Sequence, residues 1–216
     1  MTKVPRGIKA ERPYSYADLE QVGLQFREQI GLSARQKVDA LGLYDTIQDY
    51  PVVVAGRSYQ LGCRVGKLDD GLEAQAQFLP DRQEYEVVLT EETYKWLETG
   101  NPRGTWGFIH EVDHIVLHPN LLQSLAGLSP ISRAALYRGG PKTHRFCEDT
   151  EWQADALTGA VIMPAEGIRI IESDSRRGDS LLVQEIARAF GASPEAASHR
   201  LDTYRRQRTN LLAVHI

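Results

Sequence analysis

A chain of 216 residues with 42% hydrophobic and 25% charged residues can build one sizeable core, which excludes bulk disorder. A net charge of −4 advertises no general affinity for nucleic acid. Cys63 and Cys147 lie far apart without a CxxC pair and read as reduced thiols of a cytoplasmic protein, and neither a bilayer-length apolar run nor a signal-peptide core is present, so no membrane partner is expected.

In chain order, residues 1–13 are polar, basic and proline-containing, which predicts a flexible N-terminal arm. Ser15 and Asp18 form a capping-box pattern, and Leu19, Val22, Phe26 and Ile30 follow at helical spacing, so a helix runs to about Gly31. A weaker helix precedes Pro51. "RSYQLGCRV", "LEAQAQFL" and "EYEVVL" are short and strand-like, separated by the turn signals "DDG" and "PDRQ"; an antiparallel meander is the simplest arrangement. Thr90 caps a short helix that ends at Gly100. Residues 119–142 are rich in glycine and proline and predict a loop with short helical pieces. A further helix spans roughly Phe146 to Met163, and residues 166–178 look like a polar connection. The last helices lie in "SLLVQEIARAFGASPEAASHRLDTYRR". Helices around a small antiparallel sheet make an α+β chain.

The chemistry concentrates in "GTWGFIHEVDHIVLHP", residues 104–119. With His110 at zero on a helical wheel, His114 falls near 40° and Glu111 near 100°, while Phe108, Ile109, Val112, Ile115 and Val116 cluster between about 140° and 260°. The apolar stripe packs inward and the two imidazoles stand one turn apart over a cleft, close enough to share one zinc ion. Glu111 lies beside that ion, where a general base for its water belongs. His118 is another turn along, about 12 Å from His110 on a continuous helix, and is expected at the helix end or behind the ligands.

Two histidines need a third ligand to leave one tetrahedral position open. "CEDTEWQADALTGAVIMP" offers Glu151, with Asp155 one turn on to orient a ligand histidine; Glu148 and Asp149 are alternatives. Tyr137, His144 and His199 are unranked candidates for stabilising a transition state. The segment "EIARAFGASPEAASHRL" has helix-turn-helix spacing, followed by Arg205, Arg206 and Arg208 beyond Arg200. It fits either weak DNA contact or a helical hairpin packed on the protein.

HEVDHIVLH at 110–118 and EWQADALTGAVIMP at 151–164 together resemble the ImmA/IrrE family of metallopeptidases, from about residue 84 to 205. The sequence departs from the family pattern at Val112, Asp113 and Leu157–Thr158. The resemblance implies a minimal zincin-type (gluzincin-like) fold, one zinc ion held by His110, His114 and Glu151, and Glu111 as base. It also implies a protein substrate: a DNA-bound helix-turn-helix repressor, cleaved to relieve repression in a stress response or in phage or mobile-element regulation. On this reading residues 14–165 form the metallopeptidase domain and 166–216 a C-terminal helix-turn-helix-like segment.

Overall fold

The computed structural model describes residues 7–69, 71–129, 143–174 and 178–213. The first helix, α1 (Tyr16–Gln29), begins as its sequence predicts. The Ser15 hydroxyl accepts from the Asp18 N–H at 3.2 Å, and the Asp18 carboxylate accepts from the Ser15 N–H at 2.7 Å. Asp39 then caps α2 (Ala40–Thr46).

Four strands follow: β1 (Val52–Val54), β2 (Arg57–Val65), β3 (Ala74–Leu79) and β4 (Glu84–Leu89). They do not form the expected antiparallel meander. The spatial order is β1-β2-β4-β3, with β2 and β4 parallel, so the sheet is mixed. After β2 the chain crosses over the end of β4. Gly66 N–H donates to the Leu89 carbonyl at 2.9 Å and Thr90 N–H to the Glu73 carbonyl at 3.0 Å, and β3 descends on the far side. The composition of β4 explains its central place. Tyr85, Val87, Val88 and Leu89 are all fully buried, and an apolar run without alternation belongs inside a sheet. Because Thr90 bonds back to Glu73, the alternation of the ladder turns the backbone groups of Ala74, Ala76 and Phe78 away from β4, toward a free edge.

The remaining helices among the described residues are α3 (Glu91–Glu98), α4 (Pro102–Leu117), α5 (Pro119–Ala126), α6 (Thr150–Ile162), α7 (Ala165–Asp174), α8 (Asp179–Phe190) and α9 (Pro194–Leu212). The α+β class expected from the sequence holds. Helices α4 and α6 pack against each other at the centre, α4 backed by β3 and β4 and α6 by α1. Phe108, Ile109, Val112 and Ile115 of α4 are fully buried, as are Ala154, Leu157 and Val161 of α6. The contact of α1 with α6 is close: a Cβ on Gly23 would stand 3.0 Å from that of Ala160.

Two stretches differ from expectation. The supposed polar connection contains α7, whose Ile168 is buried while Glu166 and Arg169 pair at 2.6 Å on its outer side. The arm is not free from residue 7 onward: Ala10 N–H donates to the Glu148 carbonyl at 2.7 Å and Tyr14 N–H to that of Cys147 at 3.1 Å.

Helices α8 and α9 meet at Gly191, a left-handed residue with φ 66°, and Ser193 caps α9. Their Ile186, Phe190, Ala197, Leu201 and Tyr204 belong to the same buried cluster as the core of α4 and α6. Among the described residues no helix is long and apolar enough to cross a membrane.

Candidate metal centre

Helix α4 starts at Asn101, whose side chain accepts from the Arg103 N–H at 3.0 Å, with Pro102 in its first turn. It runs unbroken to Leu117, so His110, Glu111 and His114 all sit on regular helix. At His118 the backbone leaves helical geometry and Pro119 opens α5. Helix α6 starts at Asp149, whose carboxylate accepts from the Trp152 N–H at 2.9 Å. That cap sets Glu151 in the first turn of α6, opposite the histidines.

One ligand atom each from His110, His114 and Glu151 lies within 4.8 Å of the other two. The Nε2 atoms of His110 and His114 stand 3.1 Å apart, and each lies 3.5 Å from a different Glu151 oxygen. Two imidazole nitrogens thus face each other with one carboxylate near both. The pair has room for one proton between them, or for one cation; two nitrogens and an oxygen are a set that zinc takes. The residues present therefore fit the ion that the sequence calls for.

The electrostatics agree. Burial alone would depress His110, but Asp155 and Glu151 outweigh it and carry its pKa up to about 10. Burial and the neighbouring His110 hold His114 well below its ordinary value. The two rings are thus pushed in opposite directions. Asp155 stands 3.3 Å from His110 Nδ1, which directs the other ring nitrogen at the common point.

Glu111 does not join the three. Its carboxylate accepts from the Ala76 N–H at 2.6 Å, on the free edge of β3. Burial raises its pKa; the charge of His110 and the Ala76 N–H pull it partly back. His118 is buried beneath the site, hydrogen-bonded to the Thr150 backbone, with its ring 5.8 Å from that of His114. Of the alternative ligands, Glu148 pairs with Arg145 and Lys9, and Asp149 is spent on capping α6.

The candidates for transition-state stabilisation separate. Tyr137 lies outside the described residues. His144 is committed to the Asp149 carboxylate at 3.1 Å. His199 lines a groove of about 600 Å³ that also takes in Asp155, with walls from Tyr16, Trp106, Phe146 and Trp152.

Two contributors escaped sequence reading. One is the Ala76 backbone that holds Glu111. The other is a buried contact between departures from the family pattern: Thr158 Oγ1 lies 2.8 Å from Asp113 Oδ2, bridging α4 and α6. Burial pushes the Asp113 carboxyl well above its ordinary value, and the Thr158 hydroxyl pulls it partly back. The Thr158 hydroxyl is within donating distance of both the Asp113 carboxylate and the Ala154 carbonyl, each at 2.8 Å.

Residues 98–202, which span both helices of the site, match the family model of the IrrE N-terminal-like domain, peptidase family M78. That match covers just under half of the chain and agrees with the resemblance to the ImmA/IrrE family. His110, His114 and Glu151, the three residues that could hold a metal ion, all fall inside the matched stretch, whose family points to a metallopeptidase-type fold. No curated protein matches the chain.

Proposed function

We propose that this M78 domain is a zinc-dependent endopeptidase that cleaves a protein target, with a DNA-binding helix-turn-helix repressor as the target class. The observation that carries the reading is the convergence of His110, His114 and Glu151 beside a separately held carboxylate, Glu111. Bound zinc supplies Lewis acidity toward the scissile carbonyl and lowers the pKa of a coordinated water toward ~7. Glu111 accepts the proton of the attacking water and passes it to the leaving amine. Its raised pKa suits a group that must hold that proton briefly.

The substrate strand pairs with β3 rather than β4, because β4 is central and the outward backbone groups are those of Ala74, Ala76 and Phe78. At rest Glu111 occupies the Ala76 N–H, so a substrate strand that takes this donor also frees the base. His199, on the groove beside Asp155, is the candidate favoured for stabilising negative charge on the attacked carbonyl.

DNA binding through the last helices has less support. Arg200 is buried on Glu20, Arg205 pairs with Glu172 and Asp179, and Arg208 pairs with Glu172. Three of the four arginines that suggested phosphate contact are already neutralised within the fold.

The deciding experiment incubates the zinc-loaded protein with a purified helix-turn-helix repressor and reads fragment masses, with Glu111→Gln as control. Discrete fragments that vanish in the control support the reading. An intact repressor that co-elutes with the protein replaces catalysis with a binding role, and a salt-sensitive gel shift with duplex DNA favours the regulator reading instead.

A further inference from the structure

Glu151 occupies the first turn of α6, and a segment remote in sequence is built against that turn. The arm from Gly7 to Tyr14 runs antiparallel to residues 147–150. Ala10 N–H donates to the Glu148 carbonyl at 2.7 Å, Thr150 N–H to the Ile8 carbonyl at 3.1 Å, and Gly7 N–H to the Asp149 carboxylate at 2.7 Å. Gln153 of α6 donates to the Arg12 carbonyl at 2.9 Å. At the end of this run Gly7 is buried against the ligand itself. A Cβ there would lie 2.4 Å from Thr150 Oγ1, 2.7 Å from the Glu151 nitrogen and 2.8 Å from Glu151 Cγ. A side chain there cannot be accommodated unless the arm, Thr150 or Glu151 shifts. Asp149, which receives Gly7, also takes the Trp152 N–H and His144, so one carboxylate ties the arm, the α6 cap and the preceding loop together.

We propose that the N-terminal arm is a positioning element of the metal centre: docked, it seats Glu151 opposite His110 and His114, so that arm docking and metal binding strengthen each other. This rests on the metal-centre reading above. The coupling is reciprocal by thermodynamic necessity: whatever the arm adds to metal affinity, the metal returns to the arm. Residues that orient a ligand typically contribute about 10–100-fold to metal affinity.

The experiment uses the full chain and zinc alone. Zinc affinity is measured by competition with a chromophoric chelator for the wild type, for Gly7→Ala, and for Gly178→Ala, whose added Cβ meets nothing within 4 Å. Gly7→Ala is expected to bind zinc about tenfold or more weakly, and Gly178→Ala like the wild type. Hydrogen exchange on the wild type supplies a readout that needs no variant. Zinc should slow the amides of Gly7, Ala10 and Tyr14 more than those of Leu182 and Ala197 in the last helices. Equal zinc affinity of Gly7→Ala and wild type, or arm amides slowed no more than the distant ones, overturns the proposal. A wild type that binds no zinc at all removes the metal centre and this proposal with it, a failure recognisable because it precedes any comparison of variants.

Discussion

Helices α4 and α9 both carry ionisable residues along a helix that is otherwise packed into the core, and they resolve them in opposite ways. On α9, Arg200, Arg205 and Arg208 each meet a carboxylate. On α4, His110 meets His114, nitrogen to nitrogen, with Glu151 reaching toward both. Charges that find their complement within the fold are structural in the first instance. A pair of imidazole nitrogens turned on one another, with one carboxylate near both, is an arrangement that a cation from outside can complete. Sequence patterning alone leaves a functional reading open for both helices; the pairing tells them apart.

The largest expected effect lies on α4. His114→Ala removes one of three converging donors, so the purified variant should carry no stoichiometric zinc by metal analysis while keeping a cooperative thermal transition. Retained zinc would mean that the convergence is not the binding site. Next, Glu111→Gln should hold zinc like the wild type and lose about 10²–10⁴-fold in cleavage rate, the range for a positioned general base. Steady-state turnover of an identified substrate, beside metal analysis, checks both halves.

The same contrast on α9 predicts a stability effect. Arg200 and Glu20 are nearly inaccessible, Arg200 also donates to the Met163 carbonyl at 2.9 Å, and Glu20 accepts from the Ala165 N–H at 2.7 Å. Glu20→Ala strands a buried guanidinium and should cost about 3–5 kcal/mol in denaturant unfolding. A loss below about 1 kcal/mol would place the pair among exposed bridges of small worth and weaken the view that α9 spends its charges on the fold.

How much of this could be read beforehand follows from the range of the interactions involved. The HExxH pattern was legible because helical geometry alone places His110, Glu111 and His114, and the one-turn spacing of Glu151 and Asp155 singled out Glu151; the cap at Asp149, which sets where that helix starts, was not read. The sheet order was not, since parallel pairing of β2 with β4 depends on where a distant strand inserts; the unalternating "EYEVVL" was its one local signal. Helix α7 was hidden because Glu166 and Arg169, paired on its outer side, made "AEGIRIIESD" look like a solvated connection. The docking of the arm runs largely through backbone groups and one glycine, which leave no hydrophobic period to find.

A smaller effect, continuous rather than all-or-none, concerns pH. In the metal-free protein the His110 pKa is raised from 6.5 to about 10. A raised folded-state value means that the stabilisation from this proton is complete below pH 6.5 and is lost as pH climbs toward 10. Zinc has to displace the same proton, so its affinity should rise across that window by up to about tenfold per pH unit. Metal-free stability and zinc affinity should therefore move in opposite directions as pH increases. Thermal melts with and without zinc, compared at several pH values, read both. A zinc affinity flat in pH would show that no proton is held between the rings.

The smallest effect is the sharpest test of the comparison itself. Arg206 donates to the Asp202 carbonyl of its own helix at 3.2 Å and lies on the groove wall near His199. Unlike its three neighbours it is exposed without a carboxylate among the described ion pairs. Arg206→Ala should change stability by no more than about 0.5 kcal/mol, as for an ordinary surface substitution, and leave zinc affinity unaltered. If α9 instead presented a nucleic-acid surface, Arg206 would be its best-placed cation, and the variant would weaken duplex binding and flatten its salt dependence. Because that loss would come with an intact metal centre and an unchanged melt, it would return α9 to the functional side of the contrast with α4.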